Sequence, residues 1–181
     1  MKVVSVLGDQ PTGPLEVLEY LIRKGLEPTE LVLVATQKYI KTMEIVELSI
    51  LLGMRTVIPT SFLVRRVILK KDEPETKVEF EDLIATIDNV VDPGDVVDLS
   101  SSPRAPAIAG SIVARRKHSD IAYVPQAEEA ERVQKAVAEL KKMDLAKEIA
   151  TVKAGGKVSD EVMKLLEQVV LKKPKVIIIP P

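Results

Sequence analysis

Two short segments hold the residues best suited to chemistry. The first, residues 8–13, reads Gly8-Asp9-Gln10-Pro11-Thr12-Gly13, and the second, residues 100–104, reads Ser100-Ser101-Ser102-Pro103-Arg104. Each follows an apolar run and precedes a helical pattern. In the first, glycines allow close backbone approach, and the helix that follows directs free N–H groups at whatever sits above it. In the second, hydroxyls, helix N–H groups and a forked guanidinium together make a cradle for phosphate. Each segment also has a plainer reading. The first is an ordinary strand-to-helix turn with Thr12 or Asp9 as a cap; the second is a serine cap beside a solvated arginine. An arginine at a helix N-terminus opposes the dipole unless an anion is there, so the second segment points more strongly to a ligand. Neither segment matches a Walker lysine pattern or the Gly-x-Gly-x-x-Gly fingerprint, which removes the main support for nucleoside triphosphatase and NAD-binding readings.

Other conspicuous residues read first as structure. His118 follows Arg115-Arg116-Lys117 at the expected end of a helix, where cations suit the dipole. Arg65-Arg66 and Lys70-Lys71 form a basic stretch that fits either a charged sheet edge, which discourages wrong pairing, or a contact for a nucleic acid or messenger. Asp92 and Asp95 frame a turn and Asp98 alternates within a strand, so no metal site is expected from them, and no cofactor is expected at all.

Composition narrows the classes. The 181 residues suffice for one main domain with a modest appendage. The hydrophobic fraction is 46%, almost all Val, Ile, Leu and Ala, with two Phe, three Tyr and no Trp. Buried parallel strands have this composition, whereas a binder of single-stranded nucleic acid built on stacking platforms needs more rings. With 26 basic and 27 acidic residues the net charge is −1, so no global field draws the chain to a nucleic-acid polymer or an anionic membrane. Zero cysteines and one histidine exclude disulfides, thiolate zinc sites and thiol nucleophiles. The cysteine count, the 29% charged residues and the twelve prolines are similar to a thermophile's usage. The run after Met1 has neither a basic leader nor a small-residue cleavage site, and no apolar stretch approaches the roughly 20 residues that span a bilayer. A cytoplasmic protein is the expectation.

The elements that must position the two segments follow from periodicity. Residues 3–7 and 31–35 read as buried strands, and residues 15–25 and 39–52 as amphipathic helices ended by Gly25 and Gly53. Residues 56–59 read as a third short strand. Repeated β-α units of this kind imply a parallel sheet with right-handed crossovers. Residues 63–69 read as a strand, 78–91 as a helix, 92–95 as a turn, 96–99 as a strand, 105–116 as a small-residue helix and 121–124 as a strand. Beyond Pro125 the pattern changes to a charged helix over 127–142, a Gly155-Gly156 break, a helix over 159–172 and an apolar run over 176–179. The expected fold class is α/β: a Rossmann-like, mostly parallel sheet flanked by helices over residues 1–125, with a short C-terminal extension over 126–181. Ligands of such sheets bind outside the carboxyl ends of the strands, where both segments fall.

Two stretches carry a resemblance. Val3-Val4-Ser5-Val6-Leu7-Gly8 with its Pro11 loop, the helix running to Gly25-Leu26-Glu27-Pro28 and the strand over 31–35 resemble the start of a CRISPR-associated Rossmann-fold (CARF) domain. Val97-Asp98-Leu99, residues 100–104, the Ala-rich helix and Ile121-Ala122-Tyr123-Val124 are similar to that family's second signature, a strand before a Gly-Gly-Arg-Lys-like loop. The resemblance implies a homodimer that binds cyclic oligoadenylate across its two-fold axis, with ligand contacts from Gly8, Asp9, Gln10, Thr12, Gly13, Ser100, Ser101, Ser102 and Arg104. Short members without a fused domain resemble ring nucleases, which cleave cyclic tetra-adenylate. There the ribose 2′-OH attacks the adjacent phosphorus without metal, and the protein holds in-line geometry and neutralises developing charge. Arg104 and Gln10 are the catalytic candidates in that scheme. Two departures bear on it: Gln10 stands where many members have Ser, and Arg104 where they have Lys, and an arginine stabilises a phosphorane but does not readily donate a proton. A non-catalytic sensor is the alternative. A DNA-binding regulator ranks lowest, because residues 159–172 form one helix with cations mainly at its end rather than a basic helix-turn-helix.

Overall fold

Alternation within the apolar runs decides which way each strand faces. In the computed structural model, which describes residues 1–125 and 130–181, strands β1 (Val3–Val6), β2 (Glu30–Thr36), β3 (Leu63–Leu69), β4 (Val96–Asp98), β5 (Asp120–Tyr123) and β6 (Ile177–Ile179) form one sheet in the order β3-β2-β1-β4-β5-β6. The first five are parallel, and β6 runs antiparallel to β5. Val3, Leu7, Leu31, Leu33 and Val96 pack on one face with helices α1 (Thr12–Arg23) and α2 (Ile40–Leu51). Val4, Val6, Val32, Val34 and Val97 pack on the other with α3 (Lys77–Asp88) and α4 (Arg104–Arg116). Both faces are covered, which is why the central strands are apolar throughout. The architecture is Rossmann-like α/β.

Right-handed crossovers build β1, β2 and β3 outward on one side; the chain then returns from β3 to lay β4 beside β1, placing α3 and α4 on the opposite face. The seam between β1 and β4 is therefore the topological switch point. The small residues of α4 let it lie close to the sheet: Ala109 and Ala114 are fully buried, and a Cβ on Gly110 would come 2.7 Å from Leu99 Cδ2.

The C-terminal helices α5 (Ala130–Leu140), α6 (Leu145–Lys153) and α7 (Asp160–Glu167) join the α1/α2 side of the core through Val133, Leu140, Leu145, Ile149, Val162 and Leu166. A buried charge cluster ties the tail to α1. Arg55, 5% exposed, has Nη1 2.7 Å from Glu16 Oε1 and 2.8 Å from Glu19 Oε2, and donates from Nη2 to the Val169 carbonyl. Burial pushes the Glu16 carboxyl up, while hydrogen bonds from Arg55 and Arg23 outweigh burial at Glu19 and hold it down.

Several expectations change. Residues 56–59 are not a strand: they sit in turns that carry Ile58 into the core behind Arg55, and the third strand is β3. The helix expected over 159–172 ends at Glu167. The one expected over 127–142 is α5 from Ala130; its first residues, 127–129, lie outside the described residues. Helix α6 was not foreseen, although Asp144 caps it by accepting from the Lys147 N–H at 3.1 Å and Leu145, Ile149 and Val152 share one face. Gly25 and Gly53 do stop their helices, with φ of 82° and 66°. His118 takes the same left-handed role after α4, with φ of 52°, a position that strains a side-chain residue. Arg65 and Arg66 lie on β3, a sheet edge, where Glu30 and Glu47 pair with them. Among the described residues no helix is long and apolar enough to cross a membrane.

Candidate functional site

Parallel pairing of β1 with β4 aligns Ser5 with Asp98 and sends both chemistry-bearing segments out of the same end of the sheet. Asp98 is 1% exposed and anchors the seam. It accepts from Ser5 Oγ at 2.8 Å, from the Ser100 N–H at 3.0 Å and from Ser100 Oγ. Burial pushes its carboxyl up, and the three hydrogen bonds only partly counter that.

The two segments lean on each other. A Cβ on Gly8 would come 2.2 Å from the Ser101 carbonyl oxygen, and one on Gly13 would come 2.7 Å from Ser100 Cβ and 3.1 Å from Asp98 Oδ2. In this structure, then, the close backbone approach that glycine permits is made to the second segment. The serine hydroxyls are similarly engaged. Ser100 Oγ accepts from the Val124 N–H at 2.9 Å while bonding Asp98; Ser101 Oγ accepts from the Gly8 N–H at 3.3 Å and donates to the Gln10 carbonyl at 3.0 Å; Ser102 Oγ donates to the Val6 carbonyl. Gln10 is half-buried and its Oε1 has no donor. Thr12 is fully buried. Asp9 is exposed, and Lys141 at the end of α5 donates to its carbonyl at 3.0 Å.

The caps of the two plainer readings differ from what is observed, while the solvated arginine of the second is as expected. Neither Thr12 nor Asp9 caps α1, whose N-cap is Pro11, and no serine caps α4, whose N-cap is Pro103; neither cap makes a side-chain hydrogen bond. The two helix starts are nonetheless unlike. The first turn of α1 backs onto Asp98, so a buried carboxyl lies against its positive end. Helix α4 has no acidic residue in its first turn and instead opens with Arg104, which is exposed and has no ion pair or hydrogen bond with any described residue. A cation at the positive end of an uncapped helix is unfavourable by itself, and an anion placed there would satisfy both.

Beside it lies a recess of about 350 Å³, lined by Lys38, Tyr39, Lys71, Asp72, Glu73 and Pro103. It forms where the carboxyl ends of β2 and β3 meet the start of α4. A second hollow, about 330 Å³, lies between β3 and α3 and includes Leu69, Leu83 and Asn89, away from the switch point. Residues 37–39 and 71–73 carry no motif, and only the strand order brings them next to residue 103.

No protein-family model matches the chain, and no curated protein matches it by sequence. Among solved structures, the chain is similar to Can2 from Sulfobacillus thermosulfidooxidans in complex with cyclic tetra-adenylate, at 13% identity and a TM-score of 0.44. That similarity covers 73% of this chain and 33% of the other, so this chain spans about a third of that protein's length.

Proposed function

We propose that this protein binds a cyclic oligoadenylate, most simply cyclic tetra-adenylate, over the carboxyl ends of β1 and β4, as the CARF-like residues of both segments suggest. The observation that carries the reading is Arg104: a guanidinium without an ion pair or hydrogen bond among the described residues, on the uncapped first turn of a helix at the switch point of an open α/β sheet. A phosphodiester held there meets helix N–H groups and a forked cation together. Two copies facing each other across a two-fold axis would offer a symmetric ring the same contacts twice.

Cleavage of the bound ring would proceed by attack of a ribose 2′-OH on the neighbouring phosphorus. The O2′–P bond forms, the P–O5′ bond breaks, and the proton lost from O2′ is balanced by one gained at O5′, giving a 2′,3′-cyclic phosphate and a free 5′-hydroxyl. Arg104 would neutralise the charge that accumulates on the phosphorane oxygens, and Gln10 would position the ribose. A second reading, a sensor that holds the ring without cutting it, is favoured by one observation. The three serine hydroxyls of the second segment bond protein groups, so none of the three is free to relay the proton.

Incubating the purified protein with radiolabelled cyclic tetra-adenylate in EDTA separates the outcomes. Retention on a native gel with conversion to linear di-adenylate is expected of a ring nuclease, and retention without conversion of a sensor. Absence of both rejects the binding reading.

A further inference from the structure

Strand β3 ends the sheet on one side. It pairs with β2 along its whole length, from Leu63 beside Glu30 to Leu69 beside Thr36, and among the described residues no strand pairs with its outer edge. The edge carries no proline and no bulge, and Leu63 and Ile68 are exposed on it. Edge strands are ordinarily blunted by charge. Arg65 and Arg66 supply charge here, but Arg66 is spent on Glu47, whose Oε2 accepts from Nε at 3.0 Å and from Nη2 at 2.5 Å.

A hollow of about 470 Å³ opens beside this edge, where β3 meets α2 and α6, with Glu44, Val64, Arg66, Ile149 and Lys153 among its walls. Glu44 is 4% exposed and makes no ion pair or hydrogen bond with any described residue, yet its carboxylate oxygens are not sealed from solvent. Lys41, one turn before it on α2, donates instead to the Met143 carbonyl at 2.6 Å, and Arg66 and Lys153 across the hollow both go to Glu47, the lysine at 3.1 Å. A carboxylate drawn out of bulk water without a counter-charge is unfavourable, and a cation arriving from outside relieves it. On the other face of β3, where Val67 and Leu69 pack, a second hollow of about 330 Å³ runs between the strand and α3 past Leu83. An extended segment laid along the edge sends alternate side chains to these two faces.

We propose that the β3 edge docks an extended segment of a partner protein, which adds to the sheet as a further strand and sets a lysine or arginine on Glu44. Main-chain hydrogen bonds along residues 63–69 supply affinity, and the two flanking hollows supply selection. The basic residue for Glu44 and an apolar residue for the hollow at Leu69 and Leu83 therefore stand an odd number of positions apart. A phosphate-bearing partner is disfavoured, because Glu44 repels it. Strand β2 separates this edge from β1, and docking does not depend on the ligand reading above.

A library of random peptides displayed on phage is selected against the intact protein, and the enriched sequences are synthesised and titrated by fluorescence anisotropy. They are expected to share a lysine or arginine and an apolar residue at odd separation. Glu44→Gln is expected to weaken their binding about tenfold and to leave the unfolding midpoint unchanged or raised, since it removes a charge that has no partner. N-methylation of every second peptide amide is expected to abolish binding in one register and spare it in the other, because only alternate amides of an added strand face β3. Failure to enrich any sequence, binding unchanged in Glu44→Gln, or equal tolerance of both methylation patterns overturns the docking site. Sedimentation of the free protein as a dimer that Glu44→Gln dissociates would give the edge to a second copy of this chain and overturn the proposal as well.

Discussion

Arg55 and Arg104 are the same residue type in opposite circumstances. Arg55 is 5% exposed, with two glutamates within 2.8 Å and the Val169 carbonyl in reach. Arg104 stands on the rim of the sheet, exposed and without an acidic partner among the described residues. Around Arg55 every charge has a counter-charge, and the cluster ties α1 to the C-terminal tail. The seam beneath Arg104 is equally complete, with the hydroxyls of Ser5, Ser100, Ser101 and Ser102 all engaged. The difference separates what these residues do: the buried network holds the fold, whereas Arg104, with no acidic partner among the described residues, is the cation proposed to meet a ligand.

Substitutions sharpen that contrast in order of size. Arg55→Ala strands Glu16 in the interior, and loss of one partner of a buried pair costs about 3–5 kcal/mol; urea unfolding should show it as a lower midpoint with a similar slope. Gly8→Ala drives a methyl into the Ser101 carbonyl, 2.2 Å from the ideal Cβ, and forces apart the two segments at a cost of about 3 kcal/mol. A stability within 0.5 kcal/mol of wild type would show that the segments are not locked together as described.

Asp98→Asn tests the buried carboxyl through pH. The folded value of Asp98 is raised above the ordinary carboxylate range, chiefly by burial, so in the window above that range the native state holds a proton that the unfolded chain has released. Stability from this group is fully present below the ordinary value and is lost as pH rises through the raised one. The difference in unfolding free energy between wild type and Asp98→Asn should therefore move against the wild type as pH rises from about 4 toward neutrality. A pH-independent difference would mean that Asp98 titrates as an ordinary carboxyl.

Much of this plan was legible in the sequence. The apolar alternation of β1, β2 and β4 and the glycine stops at Gly25 and Gly53 are local signals, and they place residues 8–13 and 100–104 at the same edge of a parallel sheet. Residues 56–59 misled because four residues carry no period: Val57 and Ile58 are as apolar as a strand, but Arg55 next to them is drawn toward Glu16 and Glu19. The missed α6 did leave a signal, with Asp144 as cap and apolar residues at 145, 149 and 152. The engagement of the serines was not legible, because it depends on Ser5 facing Asp98 across a strand pair 93 residues apart in sequence. The recess was hidden for the same reason. Lys38 and Asp72 become neighbours of Pro103 only once β2 and β3 lie beside β1.

The smallest effect on stability is expected at the residue with the largest effect on binding. Arg104→Ala removes an exposed side chain with no partner among the described residues, so its unfolding free energy should stay within about 0.5 kcal/mol of wild type. The most direct test is to measure retention of labelled cyclic tetra-adenylate by wild type and Arg104→Ala side by side in EDTA. The account predicts binding by the wild type and at least a tenfold loss in the variant, at unchanged stability. Equal retention by the two proteins would contradict it.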